Sequence, residues 1–356
     1  MLFVLSILGI LAGLFLFTKP VFLQKKAKKQ DLFLSIIIPA RNEAHNLPNL
    51  LNSLKKQTYK NYEVIVVDDQ SKDNTAQVAR SLGAKVIEIK DKPKDFLGKP
   101  FACYTGYKKV KGEILLFVDA DVRFDSPCAL EKIIGELEDF EGVISVWPYH
   151  KIFHFYENFS AIYAIISSMA SRSFSLISQR VTIKGLYGPL IAIKRTHYEE
   201  IGTHEALKKE VVEDFKLGNL LAKSGIPIKN FLGGEDISFR MYPNGFKDLW
   251  KGWTKNSALG AATVDWGIVI PILIFLFGSL IPFLFITTPP FHYIYIMYAA
   301  LIFHFLKRVG NFWPIVPIIY PLFVAFTLSV IAYSFYATHV LGAVEWKGVK
   351  ISTKKG

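Results

Sequence analysis

Cysteine is almost absent from this 356-residue chain, which carries only Cys103 and Cys128. The two thiols lie far apart with no metal-ligand spacing, so zinc-ribbon and disulfide-scaffold classes are excluded and both read as structural. Charge is missing from residues 2–17, and the lysines that follow (Lys19, Lys25, Lys26, Lys28, Lys29) come after the apolar stretch rather than before it. A cleaved signal peptide needs the opposite order and a small-residue cleavage site, so a retained membrane anchor over 1–23 is expected, with the lysines in the cytoplasm. Carboxylates are in deficit, 30 against 42 Lys and Arg, for a net charge of +12. Much of that excess sits beside apolar segments, at 25–29, at Lys307 and Arg308, and at Lys347, Lys350, Lys354 and Lys355. Positive-inside bias accounts for it, and no nucleic-acid partner is expected. Internal repeats are lacking too, as is low complexity outside the Lys-rich linker.

Apolar residues are abundant instead, at 51%, with a mean hydropathy of +0.29. They are concentrated at the N-terminus and in the blocks 267–288, 293–305 and 312–340. Such blocks read as bilayer-spanning or re-entrant helices, since a span needs roughly 20 apolar residues. The expected organisation is an anchor over 1–23, a cytoplasmic domain over 31–255, a transmembrane region of two to three helices over 266–340 and a basic tail over 341–356. Two spans with a re-entrant or interfacial 291–308 would return the C-terminus to the cytoplasm and agree better with the charge rule than three.

The middle block alternates. Strands are expected at 34–38, 63–67, 85–89 and 114–118, with helices at 46–54, 73–82 and 99–110 between them. This alternation implies an α/β fold with a mostly parallel sheet and helices on both faces, whose ligands bind at the carboxyl ends of the strands. Three of those ends carry polar clusters: Pro39-Ala40-Arg41-Asn42-Glu43, Asp68-Asp69-Gln70-Ser71 and Asp119-Ala120-Asp121. Two carboxylates one residue apart at a strand tip can share Mg²⁺ or Mn²⁺ with a diphosphate, because these ions favour hard oxygen ligands.

Together with Gly98-Lys99-Pro100-Phe101-Ala102-Cys103 and Val212-Glu213-Asp214-Phe215, those segments resemble the ordered motifs of family 2 glycosyltransferases, which have the GT-A nucleotide-sugar-binding fold. Over its whole length, anchor and C-terminal helices included, the chain is similar to the membrane-bound 4,4'-diaponeurosporenoate glycosyltransferases of carotenoid pathways. The resemblance implies that Pro39, Arg41 and Glu43 line the nucleotide pocket, that Asp69 bonds the uracil edge, and that Lys99 lies near the diphosphate. It further implies that Asp119 contacts the ribose or the metal, that Asp121 ligates the metal, and that Asp214 is the general base in a setting shaped by Glu213. Gly185-Leu186-Tyr187-Gly188-Pro189 resembles the family's glycine-containing segment beside the donor sugar. The Gln-x-x-Arg-Trp pattern of processive members is missing from 242–255, which argues against polymer synthesis.

Several residues keep two readings. Glu213 and Asp214 also suit the first turn of a helix at 214–222, where they complement its dipole. His150 and His154 are spaced to bind metal on a helix, with no acidic third ligand evident. Trp250 and Trp253, interleaved with Lys247, Lys251 and Lys255, suit a helix in the headgroup layer that helps hold the acceptor, or else an ordinary core helix. The aromatic stretch 147–178 is a membrane-dipping acceptor channel or simply packing, partial membrane contact being preferred. The function expected is inverting transfer of a hexose, glucose first, from a UDP-sugar to a membrane lipid, with a carotenoid acid as leading acceptor. Hydroxyl or phosphate lipids (diacylglycerol, a hopanoid, polyprenyl phosphate) and a non-catalytic nucleotide-sugar-binding scaffold are the alternatives. No obligate protein partner is evident.

Overall fold

The computed structural model describes residues 1–28, 31–93, 95–178, 185–208, 213–261, 266–346 and 349–352. The chain forms two compact units, a helical one (Met1–Pro20, His150–Arg180, Arg240–Gly356) and an α/β one (Val21–Tyr149, Val181–Phe239). The stretch expected as one catalytic domain, 31–255, is therefore divided, with 150–180 and 240–255 joining the apolar segments.

In chain order the strands are Leu34–Ala40 (β1), Tyr62–Asp68 (β2), Lys85–Glu88 (β3), Ile114–Val118 (β4), Val122–Phe124 (β5), Val143–Trp147 (β6), Tyr149–His150 (β7), Leu190–Lys194 (β8), Ile228–Leu232 (β9) and Ile237–Phe239 (β10). Seven form a mixed sheet in the order β3-β2-β1-β4-β8-β6-β9. Only β8 runs against its neighbours, pairing antiparallel with β4 and β6, while the other pairs are parallel. Unbroken apolar runs explain the parallel pairing, because a strand covered on both faces has no polar side to offer water. All five residues of β4 are buried, each worth roughly 1.5–3 kcal/mol.

The order 3-2-1-4 places a switch point between β1 and β4, where successive crossovers leave on opposite sides and open a crevice at the carboxyl ends. Ile37, Val67, Leu115, Phe117, Val143, Ile191 and Ile193 share one cluster with Leu217 and Leu221 of the helix Glu213–Lys223. That packing is what carries the first turn of this helix to the carboxyl edge. The Lys-rich linker is no free tether. Residues 21–28 lie along the helix Ala129–Glu138, where Gln24 and Lys25 donate backbone N–H to Glu136 (3.4 and 3.3 Å) and Ala27 donates to Glu131 O (3.0 Å).

In the helical unit the N-terminal helix covers Leu2–Leu16, shorter than the expected 1–23. At 15 residues it is about 22 Å long, short of the ~30 Å hydrocarbon layer. Gly9 and Gly13, four apart, form a small-residue face against the helix Trp266–Leu284; a Cβ on Gly9 would lie 2.9 Å from Ile274 O, closer than side chains pack. Among the described residues, two helices are long and apolar enough to cross a membrane, Trp266–Leu284 and Tyr320–Leu341. Phe291–Val309, whose last turn carries Lys307 and Arg308, is not among them. The basic tail holds an antiparallel pair, Ala343–Trp346 with Val349–Ser352.

Two expectations here need correction. Trp253 does not face a headgroup layer: it is 2% exposed, stacks on Tyr163 at 4.3 Å and donates its indole N–H to Ser160 (2.9 Å). An amphipathic helix shows which face is apolar but not what covers it, and here that face is covered by protein. Trp250, half-buried, packs on Phe326 and Tyr333, both at 5.7 Å. His150 and His154, not expected to bind metal for want of an acidic third ligand, share no helix, since His150 ends a short strand and His154 precedes the 3₁₀ turn Phe155–Ser160. Much of 155–170 is buried within the unit, although Phe153 and Phe155 stay exposed, so packing accounts for most of that aromatic stretch.

Candidate active site

Two charge clusters line the carboxyl edge of the sheet, both within the α/β unit. The first surrounds Asp69, just past β2. Its backbone N–H bonds Ala40 O at 2.8 Å, which sets it beside the end of β1. Its buried carboxylate meets the Lys92 ammonium at 3.1 and 3.3 Å and the Arg41 guanidinium at 3.6 Å. The loops bearing these residues are tied together. Asn42 N–H donates to Ser71 Oγ (2.9 Å), Glu43 N–H to Thr75 Oγ1 (2.9 Å), Lys72 N–H to Asn42 Oδ1 (2.8 Å) and Gln70 Nε2 to Lys90 O (3.0 Å). Asn42 and Gln70 both hold positive φ (55° and 57°), strain that a loop sustains only when its surroundings over-determine it. Asp68 takes no part in the crevice. Its Oδ1 accepts from the backbone and hydroxyl of Ser71 and closes the turn. Glu43 accepts from Asn46 Nδ2 (2.8 Å), and Pro39 lies in β1 itself.

The second cluster surrounds Lys99, in the first turn of the helix Gly98–Tyr107. Its ammonium contacts Asp119 Oδ1 at 2.8 Å, Glu213 Oε1 at 3.1 Å and Gly188 O at 3.4 Å. Burial works against its charge, but Asp119 and Glu213 outweigh that and hold it well above the usual lysine range. Asp119 N–H donates to Pro189 O (2.9 Å), which locks the 185–189 turn to the tip of β4. From below, Ser145 Oγ donates to Asn230 Oδ1 (2.5 Å) and accepts from Tyr187 N–H (2.9 Å), while Asn230 Nδ2 donates to Gly185 O (2.6 Å). Gly188 is thereby pressed against Asp214. A Cβ there would lie 2.7 Å from Asp214 Oδ2, so only glycine permits this approach. Asp121 is half-buried in the turn leading from β4 into β5.

Of the residues singled out from sequence, Arg41 and Asp69 thus converge in one cluster, and Lys99, Asp119, Glu213 and Asp214 in the other. Trp250 and Trp253 belong to the helical unit. Lys92, Ser145 and Asn230 were missed. Lys92 lies four residues past the end of β3, and the β2–β3 pairing that brings this loop to Asp69 is not a local pattern.

The chain matches the family model for glycosyl transferase family 2 over residues 35–202. It is 34% identical, over 90% of its length and 89% of the relative's, to the 4,4'-diaponeurosporenoate glycosyltransferase of Staphylococcus aureus strain USA300. This chain belongs to the family 2 glycosyltransferases. The same enzyme from strain MRSA252 gives the same identity and coverage. Among solved structures, a mannosyltransferase from Pyrobaculum calidifontis in complex with GDP-Man and Mn²⁺ aligns with a TM-score of 0.58, covering 95% of this chain and 96% of its own at 15% identity. The GT-A-type α/β fold is common to both. The chain is a glycosyltransferase, and both clusters lie at the carboxyl edge of its sheet, the edge at which open α/β sheets generally bind ligands.

The donor set suits a hard divalent cation. Asp119 and Asp121 offer carboxylate oxygens at one strand tip, and a positive charge already sits on Asp119. No group of three or more His, Cys, Asp or Glu side chains forms a closed metal cage among the described residues. An ion held here would take the rest of its shell from a bound ligand or water, as Mg²⁺ and Mn²⁺ do with substrate phosphates.

Proposed function

We propose that this glycosyltransferase moves a hexose, glucose first among candidates, from a UDP-sugar to a membrane lipid acceptor, with inversion and with Mg²⁺ or Mn²⁺. The observation that carries the choice of uridine is the row Arg41–Asp69–Lys92. A carboxylate between two cations reads as donor, acceptor, donor, and uracil presents acceptor, donor, acceptor along O4, N3–H and O2. Guanine would set its 2-amino group against one of the cations. The GDP-Man bound by the archaeal neighbour is therefore not the donor favoured here. The Lys92→Ala variant should raise the KM for the UDP-sugar roughly tenfold with little change in kcat, because it removes one charge-assisted hydrogen bond to a non-reacting part of the substrate. An unchanged KM would take Lys92 out of the base pocket.

Lys99 supplies positive charge near the diphosphate, and Gly188 lets the 185–189 turn close directly onto Asp214. When bound, the divalent ion supplies Lewis-acid neutralisation of the leaving UDP. Asp214 would act as the general base, its carboxylate oxygen accepting the proton of an acceptor nucleophile as that attacks C1. The leading acceptor is a carotenoid acid, which the curated relatives' name supports. The two apolar helices long enough to cross a bilayer support a membrane-borne substrate and a multi-pass location, and the lysines at 25–29 support a catalytic unit on the cytoplasmic side.

The test is UDP release by membranes containing the protein, given UDP-glucose, Mn²⁺ and lipid extracts from carotenoid-making or carotenoid-free cells. Stimulation by the first extract alone supports the carotenoid acid, and equal stimulation moves the acceptor to a common lipid. The Asp121→Ala variant should lose roughly 10²-fold or more of the activity with either, since it removes charge stabilisation of the transition state. Retained activity would overturn the metal assignment.

A further inference from the structure

We propose that Lys99 is a resident stand-in for the divalent cation: in the nucleotide-free protein its ammonium sits in a cation seat made by Asp119 and Glu213, and the donor's diphosphate must draw it off before a metal ion can take Asp119. The inference rests on the metal-dependent reading above and adds an order of events to it. A lysine ammonium has three N–H donors and no acceptor. Those of Lys99 face three protein oxygens, Asp119 Oδ1 at 2.8 Å, Glu213 Oε1 at 3.1 Å and Gly188 O at 3.4 Å. No donor is left for a phosphate oxygen while it stays there, so binding a diphosphate requires at least one of these contacts to be given up.

The seat itself is acidic. Two carboxylates converge on the ammonium, and without it they would repel each other, as like charges at this separation do. A divalent ion placed on Asp119 while Lys99 remains would meet the ammonium at close range, where like charges repel. The diphosphate resolves the conflict, because its anionic oxygens accept both the ammonium and the metal. Lys99 stands in the first turn of its helix, on a flexible four-carbon stem that allows this exchange. Metal and nucleotide are then coupled: each tightens the other, and the coupling runs through one side chain.

The experiment measures Mn²⁺ binding to the full-length detergent-solubilised protein, from the electron paramagnetic resonance signal of free Mn²⁺, with and without UDP. The wild type should bind Mn²⁺ weakly alone and more tightly with UDP. The Lys99→Met variant should bind Mn²⁺ alone roughly tenfold more tightly than the wild type, within the span of measured site couplings, and should bind UDP less tightly. Lys99→Arg, which keeps the charge, should resemble the wild type. Lys99→Gln serves as a second neutral variant should the Met protein not fold. If neither neutral variant gains Mn²⁺ affinity while the wild type binds Mn²⁺ with UDP, the stand-in role is overturned. If the wild type binds no Mn²⁺ even with UDP, the metal reading fails and takes this inference with it; if Asp119→Asn binds Mn²⁺ as well as the wild type does, the ion is not held on Asp119 and the stand-in role alone is overturned.

Discussion

Replacing Gly188 by alanine should cost roughly 10²-fold in kcat while leaving the fold intact, because a catalytic group displaced by about an ångström loses that much. The new methyl would stand 2.7 Å from Asp214 Oδ2 and 3.3 Å from its Cγ. One of the two must give. The 185–189 turn is the stiffer partner, held by Asn230 at Gly185 O, by Ser145 at Tyr187 N–H and by Asp119 at Pro189 O. The Asp214 side chain, with two rotatable bonds, is the softer one and should swing away from the acceptor path. The same methyl would crowd the Lys99 contact to Gly188 O, so the donor KM should rise as well. Steady-state kinetics with a thermal melt check the prediction. A melting point near wild type with lost turnover is expected, and turnover within twofold of wild type would sink the idea that this close approach matters.

How much of this was legible in the sequence depends on range. The strands that carry the site were readable because runs such as Ile114–Val118 are apolar throughout and stop abruptly at polar clusters. Both features are local, and so β2 and β4 fall within a residue of expectation. Helix ends were less exact: 73–82 and 99–110 became Thr75–Ser81 and Gly98–Tyr107, with no side-chain cap to mark either start. Arg41 and Lys99 were found through motif position alone. That Arg41 and Lys92 flank one carboxylate depends on β1, β2 and β3 being adjacent, and no local pattern states that. Ser145 and Asn230 sit on neighbouring strands 85 residues apart in sequence and read singly as ordinary buried polar residues. Trp253 failed for a related reason. Its helix has the pattern of an interfacial one, and only the positions of Tyr163 and Ser160 reveal that its apolar face is already covered.

The Asp214→Asn variant separates the possible acceptors, and the separation should be large. A hydroxyl must lose its proton as it attacks C1, so a general base contributes roughly 10²–10⁴-fold, and removing it should cost about that much. A carboxylic acid has a pKa of about 4–4.5, as Asp and Glu do, and is already ionised at neutral pH. It attacks with no proton to remove. The variant should then keep its turnover within roughly tenfold, since it removes none of the proton transfer such a reaction needs. Asparagine has the shape of aspartate, so the packing of Gly188 against residue 214 is preserved and geometry is held constant between the two cases. If the acceptor is a carboxylate, the charge of Asp214 needs a different reason. Two are at hand: it lies in the first turn of the helix Glu213–Lys223, where negative charge complements the dipole, and its side chain fills the space that Gly188 leaves open. Activity of the variant with a carotenoid acid and with diacylglycerol, measured side by side, decides between these roles. Near-total loss with the acid would mean that Asp214 does more than remove a proton, and would count against pairing this site with a carboxylate acceptor.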